Sequence, residues 1–172
     1  MKRFVLPVML LLLVSISCGD KDTAGNGAVN EWLPFDAGMA AAKKENKPVV
    51  IDFYTSWCKW CKVMDEKTFS EPQISKYLAE HFVSIRINAE NKNEILTYKG
   101  NRYTPIDLTR SFGVKAFPSL AYLDDKGDLI GVIPGFMPPE TFLPFLRYIE
   151  SECYKKRISF EEFLKKEEEC SE

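Results

Sequence analysis

Histidine is almost missing from this chain: His81 is the one copy in 172 residues. A metal centre built on histidine needs further ligands at short spacing, and His81 stands isolated in the sequence. Charge of one sign is lacking too. The 23 Lys and Arg nearly balance the 25 Asp and Glu, leaving −2, so there is no electrostatic footprint for nucleic acid. The chain has no internal repeat and no glycine loop of the phosphate-cradling kind. The apolar run Phe4 to Ile16 is too short for a comfortable membrane span. What remains is a chain with 45% hydrophobic residues, long enough for one domain with a real core.

The first residues read as a targeting segment. Lys2-Arg3 precedes the apolar run, and Ser15-Ile16-Ser17-Cys18-Gly19 closes it with small residues before a cysteine. This resembles a bacterial secretory signal with a lipobox. The resemblance implies removal of residues 1–17 and lipidation of Cys18. Ser15 stands where such signals usually carry an aliphatic residue, and ordinary cleavage nearby is the alternative. Residues 18–30, rich in Gly, Asn, Asp and Lys, read as a flexible tether. The folded part is expected over 31–152, with a helical extension over 153–172.

The chemistry is concentrated in Trp57-Cys58-Lys59-Trp60-Cys61. An apolar strand, Val49 to Tyr54, precedes it and a helix-like run follows. Two cysteines at this spacing can close a small disulfide ring. Where a strand becomes a helix, the first thiol meets unsatisfied N–H groups and the positive end of the helix dipole, which favour thiolate. Thiolate is the species that attacks disulfides. Cys58 is therefore expected to be the more exposed sulfur and the nucleophile. Cys61, one turn inside, is expected to resolve the mixed disulfide. Lys59 adds a screened positive charge. Trp57 and Trp60 make an apolar rim suited to a protein partner. Two other readings stay open here: half of a zinc site, and a disulfide that is only structural.

The stretch from Val50 to Lys62 resembles the active-site region of the thioredoxin superfamily. In style it is nearest to periplasmic thioredoxin-like proteins and the C-terminal domain of the membrane thiol:disulfide interchange reductase. Asp52 matches the family's buried acid, and the resemblance implies that it relays the proton of Cys61. Lys115-Ala116-Phe117-Pro118-Ser119 resembles the cis-proline loop. Pro118 would then pack against the disulfide, and the backbone of Phe117 would pair with substrate. The Lys-Trp between the cysteines departs from the Gly-Pro of ordinary thioredoxins, so the redox potential does not transfer. Asn91 to Thr104 looks like an insertion.

The pattern of elements fits the same fold class: α/β, a central mixed sheet flanked by helices. Helices are expected over Trp32 to Glu45, Lys59 to Lys67, Gln73 to His81, Pro105 to Phe112 and Pro139 to Glu152. Strands are expected over Val49 to Tyr54, Phe82 to Asn88, Ser119 to Leu123 and Leu129 to Ile133, the last two joined by Asp124 to Asp128 as a hairpin. Ser159-Phe160-Glu161-Glu162 is a capping-box pattern for an extra C-terminal helix with an apolar stripe of Phe160, Phe163 and Leu164, packed on the back of the domain. Cys153 and Cys170 either pair or remain free thiols; nothing in the sequence fixes their geometry.

These readings converge on a monomeric, extracytoplasmic thiol:disulfide oxidoreductase, lipid-anchored to a bacterial membrane. It would need no cofactor beyond its own dithiol. Protein disulfides or dithiols would be its clients and a membrane protein its electron donor, with the reductive direction expected. The alternatives are a disulfide-forming oxidase of the same fold and a non-catalytic metal-binding module.

Overall fold

A computed structural model describes residues 30–166 and Cys170. The expected leader, Cys18 and the tether through residue 29 lie outside the described residues. The chain runs β1 (Trp32–Leu33), α1 (Phe35–Glu45), β2 (Val49–Tyr54), α2 (Lys59–Met64), a wide π-type turn (Asp65–Phe69), α3 (Pro72–His81) and β3 (Val83–Asn88). It continues with β4 (Leu96–Tyr98), β5 (Asn101–Tyr103), α4 (Pro105–Ser111), β6 (Ser119–Leu123), β7 (Leu129–Pro134), α5 (Pro139–Glu150), a 3-10 turn (Cys153–Lys156) and α6 (Phe160–Lys165).

The main sheet has the order β1-β3-β2-β6-β7. β1 and β2 run parallel to β3, whereas β6 is antiparallel to both β2 and β7. β2 lies at the centre and is buried on both faces, which explains its nearly continuous apolar run. Val49, Ile51 and Phe53 face a core shared with Phe35 of α1 and Leu108 of α4. Val50 faces the other core, with Met64 of α2, Leu78 of α3 and Leu146 of α5. Each such side chain, fully buried, contributes about 1.5–3 kcal/mol. Asp52 sits on the Val50 face, a carboxylate in the middle of this layer.

Three expectations needed correction. Trp32 to Glu45 is not one helix. Pro34 disfavours helical backbone at Leu33, so Trp32 and Leu33 pair with Ser84 and Ile85 as an edge strand. The helix starts only at Phe35. There Gly38 lets α1 approach the sheet, because a methyl group at this position would overlap the Ile85 side chain. The active-site helix also changes form before Lys67: its α-helical part ends at Met64 and a π-helical segment carries it on over Asp65–Phe69. After Met64 the backbone widens, so that the Thr68 hydroxyl donates to Met137 O at 2.8 Å. Phe69 then packs between Trp32 and Phe142, at 4.7 and 5.7 Å between ring centroids. Finally, Leu164 does not join the α6 stripe and remains 45% exposed.

The insertion from Asn91 to Thr104 is a hairpin. Lys99 and Gly100 form its two-residue turn, both at positive φ. It docks through buried Leu96 and through Tyr98, whose ring lies 5.1 Å from Phe112. Thr97 N–H adds a 2.8 Å bond to Asp36. Late in the chain α6 is capped by Ser159, whose hydroxyl accepts from Glu162 N–H at 3.1 Å. Phe163 is fully buried, and Phe160 packs on Phe145 and Tyr148. Cys153 and Cys170 are joined as a second disulfide with Cα atoms 5.4 Å apart. His81 ends α3, stacked on Tyr77 and 3.6 Å from Glu150.

Candidate active site

β2 ends at Tyr54, and Thr55 to Trp57 turn the chain into α2 with Cys58 as its N-cap. Cys58 and Cys61 are bonded, with Cα atoms 5.3 Å apart. The Cys61 N–H also donates to the Cys58 sulfur at 3.0 Å. That donor would hold negative charge on Cys58 after reduction. Cys58 is not the more exposed sulfur: both cysteines are 3% exposed. In the closed ring they differ in hydrogen bonding, because the Cys61 N–H in the first turn of α2 points at the Cys58 sulfur.

Trp57 and Trp60 stand in solvent, 69% and 57% exposed. They do not stand alone. Trp57 meets Phe117 edge to face at 6.1 Å, and Trp60 lies 5.7 Å from Phe136. Lys59 is exposed beside them. The Phe117–Pro118 peptide is cis, as the resemblance implies. Pro118 is buried, and its carbonyl accepts from Gly135 N–H at 2.8 Å, tying the loop to the end of β7.

Asp52 is fully buried, and burial pushes its pKa up to about 6 against the opposing pull of Arg86. The two residues face each other across the parallel β2–β3 pair. Arg86 Nε and one Nη each lie 2.9 Å from Asp52 Oδ2. Asp52 Oδ1 has no protein hydrogen-bond partner. The same guanidinium donates to Asp65, just after α2, and lies over the rings of Tyr54 and Trp32 at 4.7 and 5.4 Å. Burial disfavours the Arg86 charge, but the two carboxylates outweigh it and raise its pKa. Tyr122 lies buried on the same side, its hydroxyl unpartnered. Burial and then the charge of Asp52 push its pKa well up.

Two residues of this region were not singled out in the sequence. Arg86 occupies a polar place in an alternating strand, a pattern that otherwise signals a solvent face. Its register opposite Asp52 is the missing signal. Glu90 lies in a loop with no local mark. It accepts from Ser56 N–H and Oγ at 2.9 and 2.7 Å and from Trp57 Nε1 at 3.0 Å. Those donors, the Ser56 hydroxyl foremost, lower its pKa. Among the described residues no cluster of His, Cys, Asp and Glu could hold a metal ion.

A disulfide at a strand-to-helix turn, a buried acid in the preceding strand and a cis-proline loop before the neighbouring strand define a site of the thioredoxin type. A family profile described as "Thioredoxin-like domain" matches residues 35–150, and the chain belongs to that family. Thiol:disulfide interchange protein DsbD of Escherichia coli (strain K12) is 30% identical over 114 residues, 65% of this chain and 18% of the relative. The chain thus corresponds to under a fifth of that protein's length. A thioredoxin from Thermus thermophilus shares the fold, with TM-score 0.57 and 24% identity over 71% of this chain and 87% of its own. So does a thioredoxin-fold protein from Helicobacter pylori, with TM-score 0.60 and 21% identity over 76% and 92%.

Proposed function

We propose that this chain is an extracytoplasmic thiol:disulfide oxidoreductase that reduces protein disulfides through Cys58 and Cys61. The observation that carries this reading is the Cys58–Cys61 disulfide at the start of α2, with the Cys61 N–H on the Cys58 sulfur. In the reduced protein the Cys58 thiolate attacks a client disulfide. A Cys58–client bond forms, and the client's second sulfur leaves as thiolate. Cys61 then gives its proton to Asp52 and attacks the Cys58 sulfur. The Cys58–Cys61 disulfide closes, and the client's remaining sulfur leaves as thiolate. Two electrons have passed to the client. A carboxylate with a pKa near 6 suits this proton transfer near neutral pH.

Trp57, Lys59, Trp60, Phe117 and Pro118 form the client-binding rim in this reading. An apolar rim around two sunken sulfurs fits a polypeptide better than a small thiol. The reductive direction draws on the likeness to the interchange protein, and a membrane electron donor would return the two electrons. The second disulfide fits an oxidising compartment. Cys18 as a lipid anchor and residues 18–30 as a tether would hold a monomeric domain at a bacterial membrane. Among the described residues no helix is long and apolar enough to cross it.

The test is the potential of the Cys58–Cys61 couple, measured by thiol trapping in defined redox buffers. A value near or below about −250 mV, close to thioredoxin, supports the reductase. A value above about −150 mV, toward the strong periplasmic oxidant, reverses the direction. Cys58→Ser should abolish reduction of insulin disulfides; retained activity would overturn the mechanism.

A further inference from the structure

The end of the sheet that carries the disulfide also carries an apolar hollow beside it. β2 and β3 run parallel, so their C-terminal ends lie together, with Tyr54 opposite Asn88. The Ala89 N–H continues the pairing, donating to Tyr54 O at 2.9 Å. From there the chain enters the inserted hairpin at Asn91 and leaves it at Thr104, the N-cap of α4. Between these two stems is an open hollow of about 320 Å³, lined by Ala89, Glu90, Asn91, Lys92, Thr104 and Ile106. Its wall is predominantly carbon despite the polar residue names. Ile106 contributes an exposed aliphatic side chain at 36%. The volume sits at the lower end of the range for ligand pockets, about 300 Å³ upward. That suits a protein side chain better than a cofactor.

Continuity with the disulfide decides the occupant. Glu90 belongs to the hollow and also holds the Trp57 indole and the Ser56 backbone. Wall and rim are therefore continuous, running from Ile106 through Glu90 to Trp57, the sequence neighbour of Cys58. The Glu90 carboxylate is turned to those donors, which leaves carbon facing the hollow. A polypeptide whose cysteine reaches Cys58 can lay a neighbouring residue into this space without moving the sheet.

We infer that the hollow between Glu90 and Ile106 is a specificity subsite that seats an apolar side chain of the client polypeptide, a few residues from the cysteine joined to Cys58. The inference rests on the exchange reading above and names the kind of client it selects. The inserted hairpin supplies the stems of the subsite, so the selectivity belongs to this chain's own insertion. The chemistry at sulfur is unchanged by it. The side chain contributes affinity to the mixed disulfide, where a small apolar contact is worth about tenfold or more in discrimination.

The test uses Cys61→Ser protein, which traps Cys58 as a mixed disulfide. Nine-residue peptides of Gly and Ser with one central Cys carry a single Leu at successive positions. Each competes with the Leu-free reference peptide for Cys58 at thiol-exchange equilibrium, read by intact mass. The S–S bond is the same on both sides of this exchange, so the ratio reports side-chain contact alone. The expected result is an advantage of about tenfold at one or two Leu positions, reduced to within about twofold by Ile106→Asp. In the unmutated hollow the linked Leu methyls should show nuclear Overhauser contacts to Ile106 and Thr104. The subsite is overturned if no Leu position outcompetes the reference. It is equally overturned if the advantage survives Ile106→Asp and no such contacts appear. Failure of the reference peptide to link to Cys58 at all would instead bring down the exchange reading, and the subsite with it.

Discussion

Asp52 and Arg86 face each other on adjacent parallel strands, and the arginine engages one oxygen of the carboxylate while the other has no protein partner. The pair is thus only half compensated. Arg86 is shared with Asp65, so its charge is divided between a fully buried acid and a half-buried one. The raised pKa of Asp52 reflects that imbalance: desolvation outweighs a counter-charge that also serves another carboxylate.

Asp52 should therefore cost stability at neutral pH. Its folded pKa of about 6 lies above the ordinary 3.8, so the folded state binds the proton more tightly than the unfolded one. The stabilisation from that proton is complete below about pH 4 and is lost as pH rises through 6. At about 1.4 kcal/mol per pKa unit, ionised Asp52 costs up to about 3 kcal/mol at pH 7. Asp52→Asn is expected to raise the denaturation midpoint of the oxidised protein at pH 7.5 and to lose that advantage near pH 4. Urea unfolding across this range checks it; a variant less stable at pH 7.5 would refute the sign.

Removing the arginine should move the pH profile of exchange. Arg86→Met takes away the charge that lowers the Asp52 pKa. The carboxylate then accepts its proton at higher pH, and the resolving step, which needs the basic form, shifts to the alkaline side by about one unit. Stopped-flow oxidation of the reduced protein between pH 5 and 9 measures this. An unchanged or acid-shifted limb would exclude Asp52 as the base.

Glu90 should act on the rim rather than on the sulfurs. Glu90→Ala releases three donors from Ser56 and Trp57. Trp57 fluorescence anisotropy is expected to fall. Insulin reduction should lose about threefold to tenfold in kcat/KM, the scale of losing one or two hydrogen bonds. The Cys58–Cys61 potential should move little. A large change in potential would place Glu90 in the redox couple itself.

The second disulfide should serve stability and not catalysis. It closes a loop with a sequence separation of 17, for which chain entropy gives about 3 kcal/mol. Cys170→Ser is expected to lower the midpoint of urea unfolding accordingly. The initial rate of insulin reduction at 25 °C should be retained. Loss of activity in the still-folded variant would give Cys153 and Cys170 a redox role.

What could be read from the sequence was what short-range chemistry dictates. β2 and β6 are apolar runs closed by breakers, the Cys58–Cys61 spacing carries its own mechanism, and Ser159 marks the start of α6. What escaped depends on contacts distant in sequence. Trp32 and Leu33 continue a helical spacing and become a strand only because Pro34 stops the helix and β3 offers an edge. Arg86 looks like a solvent-facing residue until β3 is laid beside β2. Glu90 and the hairpin stems have no local pattern; only the meeting of β3, α4 and the active-site turn gives them a place.

Both active-site sulfurs are sunk to 3% exposure between two standing tryptophans. Attack on a disulfide requires an incoming sulfur in line with the S–S bond, and a free small thiol brings no surface to rest on that rim. A couple placed so deep would be kinetically insulated from small thiols. On the proposed reading it would exchange electrons with proteins that dock and only slowly with the thiol pool around them. Such insulation would let two redox circuits held at different potentials run side by side without short-circuiting.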